Sequence, residues 1–151
     1  MINEKLKIMG NLQLVLSSPD QPDRITEVKN LVVNTGLAYI ASRMKDTADA
    51  AMSHLAIGSG TAAAAGADAT LGTELARVAL TSSTLVTTTA TNDAIQYVAT
   101  FLPATGTGAV TEAGVFNASS SGTLLCRTVF PVINKGASDT LTITWKVTIE
   151  A

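Results

Sequence analysis

Few side chains in this sequence have catalytic chemistry, and their spacing decides which reactions are open to them. Glu74 and Glu112 lie inside otherwise apolar, strand-like runs. Two carboxylates that flank a cleft could hydrolyse a glycoside, and a histidine held by a carboxylate could activate a nucleophile. The single histidine, His54, would have to serve any such triad alone. A hydrolase therefore requires Glu112 and His54 to meet in one pocket.

Two arginines offer these acids a structural role instead. Glu74 is three residues from Arg77, and Glu112 lies one strand away from Arg127 if the two runs that carry them form a hairpin. A charge among apolar strand residues is tolerated when it is paired, and removal of one partner of a buried pair costs about 3–5 kcal/mol. The spacing therefore favours structural ion pairs, within or between subunits, over catalysis.

Motifs for metals, phosphates and reactive thiols are lacking in the sequence. One histidine and one cysteine cannot supply a typical zinc cluster, and the run Gly58-Ser-Gly-Thr lacks the lysine of a phosphate-binding loop. Cys126 follows two leucines, which favours a buried apolar residue over a reactive thiol. Asp20 and Asp23 lack the closing glutamate and central glycine of a calcium loop. No metal or cofactor is expected.

Charge and hydropathy exclude several classes of partner. A net charge of -2 and a pI of about 5.2 leave no basic face for nucleic acid. The N-terminal residues include Glu4 and lack the apolar core of a signal peptide. No run is long enough to span a membrane. The chain is therefore expected to be made in the cytoplasm, without nucleic-acid or membrane partners.

The chain is unusually poor in charge. Charged residues make up 15% of it and hydrophobic residues 46%, with threonine, serine, alanine and glycine in place of the missing charge. Depletion of charge is typical of surface that becomes buried in an interface. We interpret much of the surface as buried against copies of the chain or against another protein; the alternative is a threonine-rich soluble β-domain.

The C-terminal part of the chain has the clearest structural pattern. From Leu141 to Ile149 every odd position is apolar, including Trp145, and every even position is threonine or lysine. This is the period of a strand with one buried face. Residues 109–116 and 122–130 precede it as two further strands. Evenly spaced strands with one helix predict a mainly β, antiparallel, jelly-roll-like β-sandwich.

The N-terminal part predicts a hairpin followed by a short helix. Residues 5–16, with Gly10 breaking the apolar series, and residues 24–33 form two strands around a proline-containing turn. The run Asn34-Thr-Gly can cap a helix. The apolar stripe of that helix consists of Leu37, Ile40, Ala41 and Met44. One domain is expected over residues 1–151, with the hairpin 1–33 open to a role as an assembly arm and 34–151 as the core.

A long segment of small residues separates the next strands. Its glycines are Gly58, Gly60, Gly66 and Gly72. Loops of this length are uncommon inside compact domains unless they bind something. Packing against a neighbouring subunit and a flexible tether both remain open for it. Residues 74–83 and 85–91 then look like strands, followed by a stronger strand at 94–102.

Six blocks of sequence, taken in order, resemble small structural proteins of tailed bacteriophages. They are Asn34–Ile40, His54–Gly60, Leu71–Arg77, Thr111–Ala118, Leu124–Phe130 and Asp139–Trp145. Their order is similar to that in the attachment domain of phage tail-collar fibre proteins, over roughly residues 34–151. The resemblance implies a non-enzymatic virion protein, made in the host cytoplasm, that docks on other virion proteins. Because symmetric oligomers are the default for such modules, a trimer or ring of copies is expected.

A fibre protein of that family would continue into a shaft and a receptor-binding tip, whereas this chain stops after its last strand. We therefore expect a capsid decoration (cement) protein. A neck, tail-collar or baseplate component that anchors fibres is the alternative. A receptor- or glycan-binding module is a further alternative, but it would need aromatic side chains at loop tips. Aromatic residues make up only 4% of the chain.

Overall fold

The computed structural model of the protein describes residues 4–46 and 49–151. These residues form ten strands and one helix. In chain order the elements are β1 (Lys7–Ser17), β2 (Arg24–Lys29), β3 (Leu31–Val32), α1 (Asn34–Lys45), β4 (His54–Gly58), β5 (Glu74–Ala79), β6 (Ser82–Val86), β7 (Ala94–Phe101), β8 (Gly108–Phe116), β9 (Leu124–Lys135) and β10 (Thr140–Glu150). Among the described residues no helix is long and apolar enough to cross a membrane.

The strands build two five-stranded antiparallel sheets. Sheet A has the order β2-β1-β10-β7-β6, and sheet B has the order β3-β9-β8-β4-β5. Buried side chains from both sheets form one continuous apolar core between them. The prediction of a mainly β, antiparallel sandwich with a single short helix is therefore confirmed.

Strand β10 is the centre of sheet A. It pairs along its whole length with β1, from Lys7 opposite Glu150 to Ser17 opposite Thr140, and on its other side with β7. Trp145 on its inner face is completely buried, whereas Thr144 on its outer face is only partly buried. The alternation predicted for this strand is confirmed, and it places the largest side chain of the chain in the core.

The N-terminal hairpin is part of the sandwich. Strand β1 lies between β2 and β10, and its inner side chains Leu12, Leu14 and Leu16 are buried in the core. Burial of three leucines by one strand contributes several kcal/mol to folding, on the scale of about 1.5–3 kcal/mol for each side chain. The described part of the hairpin is therefore built into the core and is not set apart from it as an arm.

The chain passes from sheet A to sheet B at Asn30, between β2 and β3. The Asn30 backbone N–H donates to the Gly10 carbonyl oxygen at 3.0 Å, and its side-chain Oδ1 accepts from the Trp145 Nε1 at 2.9 Å. A Cβ on Gly10 would overlap the Asn30 side chain. Gly10 therefore leaves β1 unbroken and provides space for the corner.

Helix α1 packs on sheet B with a different face from the predicted one. Gly36 and Tyr39 are buried, whereas Leu37 is 49% exposed and Met44 is 82% exposed. A Cβ on Gly36 would overlap the carbonyl group of Leu125 in β9. Because only the glycine face allows this close approach, the predicted inward stripe is wrong for Leu37, Ala41 and Met44, whereas Ile40 packs against the core as predicted.

The start of α1 is held by the surrounding chain. The N-cap residue is Val33, which makes no side-chain cap, so the predicted cap at Asn34-Thr-Gly is wrong. The Asn34 N–H donates to the Gly66 carbonyl at 2.8 Å, and the Thr35 hydroxyl donates to the Leu124 carbonyl at 2.7 Å. The Gly66 carbonyl thus satisfies one of the free N–H groups at the start of the helix, and the Thr35 hydroxyl bonds the first turn to β9.

The predicted strands at 74–83 and 85–91 are divided differently in the structure. Strand β5 ends at Ala79 in sheet B, and the chain crosses to sheet A through Leu80 and Thr81. The Leu80 N–H donates to the Ser53 carbonyl and the Thr81 N–H to the Val98 carbonyl, at 2.9 and 2.7 Å. The crossing lies inside a run whose sequence pattern is that of one continuous strand, so the local sequence does not indicate it.

Candidate functional site

The Glu112 carboxylate lies at the centre of a buried polar cluster in sheet B. Strands β8 and β9 form a hairpin in which Gly114 opposes Arg127, so Glu112 and Arg127 are diagonal neighbours on one face. The Arg127 Nη2 and Nε lie 2.8 and 3.0 Å from the Glu112 Oε2. Their side chains are 3% and 0% exposed. The hairpin therefore brings together the pair that the sequence suggested.

Backbone N–H groups of the small-residue loop complete the coordination of this carboxylate. Gly60 and Thr73 donate to Oε1, each at 2.8 Å, and Gly72 donates to Oε2 at 2.9 Å. With the two bonds from Arg127, every acceptor position of the carboxylate is occupied, since two oxygens offer about four lone-pair sites. Glu112 has no acceptor position left for a substrate proton.

Arg127 reaches the same loop with its remaining donors. Its Nη1 lies 2.8 Å from the Asp68 Oδ2, and its Nη2 donates to the Ala62 carbonyl at 3.0 Å. Asp68 also accepts from the Ala65 N–H at 2.8 Å. We call Glu112, Arg127 and Asp68, with the loop 59–73 that they hold, the clasp. A loop bonded at both ends and in its middle is not a flexible tether.

The hydrogen bonds keep the clasp charged. Burial by itself would raise the pKa of Glu112, but the N–H groups of Thr73 and Gly72 and the Arg127 guanidinium together hold it below its ordinary value. The N–H of Ala65, followed by Arg127, lowers the pKa of Asp68. Burial opposes the charge of Arg127, and its two carboxylate partners still raise its pKa. All three groups are therefore ionised at neutral pH.

The four glycines of the loop contact the inside of the subunit. A Cβ on Gly60 would lie 2.5 Å from the Glu112 Oε1, and one on Gly58 would overlap the Thr73 carbonyl oxygen. At Gly72 a Cβ would lie 3.3 Å from the Gly60 Cα, and at Gly66 it would lie 3.1 Å from a side-chain oxygen of α1. Close internal packing accounts for these positions. The predicted role of the loop in a subunit interface stays a prediction.

Glu74 and Arg77 form a second pair within the subunit. The pairing of β4 with β5 shifts register between Ile57 and Gly58, which places both side chains together. The Arg77 Nε and Nη2 donate to the two Glu74 carboxylate oxygens at 3.0 and 2.8 Å. Its guanidinium also lies 3.7 Å from the centre of the Phe116 ring, a cation–π contact. Arg77 therefore fixes the edge strand β5 to the end of β8.

The other residues considered for catalysis or metal binding do not come together among the described residues. His54 pairs with Phe116 in the sheet and Gly58 pairs with Glu112, so His54 and Glu112 lie near opposite ends of β4. The His54 Nδ1 instead bonds to the Ser53 hydroxyl at 2.8 Å. Burial raises the pKa of the Cys126 thiol. Within residues 4–46 and 49–151 no cluster of three metal-ligating side chains occurs.

Sequence reasoning missed two charged residues with buried contacts. Asp68 is the only charged residue between Gly58 and Gly72, and that isolation was a usable sign of its role. Lys135 is 1% exposed, and its Nζ donates to the Leu102 and Asp139 carbonyl oxygens at 3.1 and 2.8 Å. Burial lowers the pKa of Lys135. Its position in the run Asn134-Lys-Gly136, which is typical of an exposed turn, gives no comparable sign.

Comparison with protein-family models, with curated proteins and with solved structures found no match to this chain. The fold class and the clasp are therefore the basis on which its function is inferred. The fold is an antiparallel β-sandwich, and the clasp is a set of structural contacts around a saturated carboxylate.

Proposed function

We propose that this protein is a non-enzymatic bacteriophage virion structural protein that self-associates and docks on other virion proteins. We further propose that it decorates the capsid as a cement protein. The observation that carries the proposal is the distribution of apolar surface. Among the described residues at least eleven large hydrophobic side chains are 39–82% exposed, while the buried charges of the clasp are bonded inside the subunit.

The exposed apolar side chains are spread over the molecule. Ile25 lies on β2, Met44 on α1, Leu85 on β6 and Val132 on β9, and Leu102 lies in the loop that follows β7. Single exposed apolar side chains are common on folded proteins, but here they occur on a surface that is also poor in charge, a composition typical of contact sites for other proteins. Several small, separate sites suit a protein that holds on to a repeating surface, because simultaneous weak contacts multiply in strength.

The resemblance to phage structural proteins supports the same proposal. Four of the six blocks that carry it contribute residues to the clasp: Gly60, Gly72 with Thr73, Glu112, and Arg127. The residues that are similar to the phage family thus hold the fold together. In the clasp they bond to one another and to the loop backbone, and the Glu112 carboxylate has no acceptor position left, so the resemblance supports a structural module and not a catalytic site.

All aromatic side chains of the chain are buried, which weighs against a glycan-binding function. They are Tyr39, Tyr97, Phe101, Phe116, Phe130 and Trp145, none more than 9% exposed. Sugar recognition by stacking requires an exposed aromatic face, and none is presented at a loop tip. A component of the neck, tail collar or baseplate remains the alternative position, because the order of the sequence blocks is similar to that of a fibre attachment domain.

The proposal is tested by locating the chain in particles. Virions from cells that express the chain from its native genome are purified and reconstructed by cryo-electron microscopy. We expect density for the sandwich at repeated positions on the capsid surface. Density at the neck, tail or baseplate would overturn the capsid position and support the alternative. Absence from particles, together with a monomer in light scattering at high concentration, would overturn the virion function.

A further inference from the structure

The four edge strands of the sandwich differ in how they are protected against pairing with another chain. Native sheets protect their edges with charged side chains, bulges or very short strands. Strand β2 carries Arg24, Glu27 and Lys29, and β3 is two residues long. Strand β5 contains the Glu74–Arg77 pair and a register shift. Strand β6 has none of these protections.

The neighbourhood of β6 is uncharged over a long distance. From Leu80 to Asn92 the sequence contains no charged residue and no proline. Four of the five β6 residues, Ser82 to Leu85, are exposed, and Val86 is partly buried. Within the described residues β6 pairs only with β7. Its outer edge therefore presents backbone N–H and C=O groups without a charge to repel an incoming strand.

An apolar groove of about 440 Å³ opens beside this edge, between sheet A and α1. Leu85, Ile95 and Ile149 line it from sheet A, and Tyr39 and Ile40 line it from the helix. Leu85 faces inward, opposite Ile95, yet is 62% exposed. The core-facing side of sheet A is thus left uncovered at β6.

The one acidic group that lines the groove, Asp93, is already satisfied. Its carboxylate accepts from the N–H groups of Thr88, Thr89 and Ala90 and from both threonine hydroxyls, at 2.7–3.0 Å. These bonds lower the pKa of Asp93, so it stays ionised without a further partner. The groove consequently offers no unpaired charge to a charged ligand.

We propose that β6 pairs antiparallel with β6 of a second copy across a two-fold axis and joins two A sheets into one. Directly opposed residues of an antiparallel pair lie on the same face of the sheet. An axis that passes at Leu85 sets this side chain against Leu85 of the partner subunit on the inner face. Each leucine then covers the open end of the neighbouring groove.

A second copy is the occupant because a two-fold contact uses the same surface twice. An uncharged edge can do this without repulsion, and it gives no preference to an acidic or a basic partner. The β2 edge carries three charged residues, so a second β2 could pair with it only in a register that opposes unlike charges. The proposal rests on the self-association in the proposed function and gives it a surface, a register and a two-fold symmetry in place of the trimer or ring expected from the sequence.

Disulfide crosslinking tests the register. Opposed Cβ atoms in an antiparallel pair lie about 4.5–5.5 Å apart, close enough for a disulfide after small adjustments. Leu85→Cys is compared with Ile25→Cys, which has the same exposure, 62% against 61%, on the opposite edge of sheet A. The native Cys126 is buried and does not compete. Under mild oxidation Leu85→Cys should form covalent dimer at least about tenfold faster, because pairing raises the effective thiol concentration.

Sedimentation equilibrium tests the surface independently. Leu85→Glu would place two like charges opposite each other and should weaken dimerisation of the folded protein at least about tenfold, whereas Ile25→Glu should leave it unchanged. Circular dichroism confirms that both variants are folded. Equal crosslinking of the two cysteine variants, or equal dimerisation of the two glutamate variants, would overturn the proposal. Dimerisation through another surface would overturn the β6 pairing and leave the proposed function intact. A β6 dimer that is absent from virions would support the pairing and overturn the proposed function.

Discussion

The polar groups of the clasp in sheet B are bonded within the subunit, whereas those at the β6 edge of sheet A face outward. In the clasp, Glu112 and Arg127 are buried; backbone N–H groups of a distant loop donate to Glu112, and Asp68 and the Ala62 carbonyl of the same loop accept from Arg127. At β6, uncharged side chains and one edge of backbone groups face outward, next to an exposed leucine. Charged side chains therefore hold a loop in place on sheet B, whereas strand β6 at the edge of sheet A carries no charged side chain.

The difference separates the residues that hold the fold together from those that we propose to mediate association. Removal of one partner of a buried ion pair leaves the other charge buried and uncompensated, which destabilises a fold by about 3–5 kcal/mol. An exposed, uncharged strand edge is instead free to pair with another chain. Substitutions in the clasp should therefore change unfolding, and substitutions at β6 should change association.

The largest effect is expected at the centre of the clasp. Glu112→Ala leaves the Arg127 charge buried and removes the acceptor of three loop N–H groups. We expect the free energy of unfolding to fall by about 3–5 kcal/mol, measured by urea denaturation. Asp46→Ala is the control, because both side chains of the Lys45–Asp46 pair are exposed, at 83% and 56%, and it should cost about 0.2–1 kcal/mol. Equal losses in the two variants would contradict a special role for the clasp.

A smaller loss is expected when the loop is pushed away from the carboxylate. In Gly60→Ala the added methyl would lie 2.5 Å from the Glu112 Oε1, so the loop must shift. Overpacking of this kind costs about 1–3 kcal/mol. Gly66→Ala is the control, since its nearest neighbour is the mobile end of the Asn34 side chain. Thermal unfolding should separate the two variants, and identical transition temperatures would show that the loop tolerates the shift.

A fall in pH should weaken the hydrogen bonds and ion pairs of the clasp and should have no effect on the uncharged β6 edge. The pKa values of Glu112 and Asp68 are lowered in the folded protein from ordinary values of 4.5 and 3.8. Groups with lowered pKa stabilise the fold above those ordinary values and lose this contribution as the pH falls through the folded-state pKa. The free energy of unfolding should therefore decrease below about pH 4.5.

The contribution of Glu112 to this pH dependence can be isolated. Glu112→Gln lacks the titrating group, so its unfolding free energy should depend less on pH in the acid range than that of the original protein. Denaturant titrations at several pH values measure both curves. Parallel curves would mean that other carboxylates, such as Asp93 and Asp139, account for the acid sensitivity.

The smallest effect on stability is expected at β6. Leu85 is 62% exposed, so Leu85→Glu should change the unfolding free energy of the monomer by no more than about 0.5 kcal/mol. The measurement is made by urea denaturation at low protein concentration, where association does not contribute. A loss comparable to that of Gly60→Ala would show that Leu85 supports the fold and would remove the contrast between the two regions.

Part of this contrast was predictable from sequence. The alternation around Trp145 fixed the orientation of β10, and a hairpin of β8 and β9 was enough to pair Glu112 with Arg127. The face of α1 was not predictable, since the close approach of Gly36 to Leu125 depends on tertiary packing. The third member of the clasp, Asp68, is 59 residues from Arg127, a separation that local patterns do not encode.

The pairing of β1 with β10 has a consequence for synthesis of the protein. Sheet A has as its central strand the element furthest along the chain from β1, with Lys7 opposite Glu150. Because loops of this length close late and non-local β pairings form slowly, sheet A cannot be completed while β10 is still inside the ribosome. Until then β1 and β7 have open edges, so chaperone binding during translation should protect this chain more than one with local strand pairing.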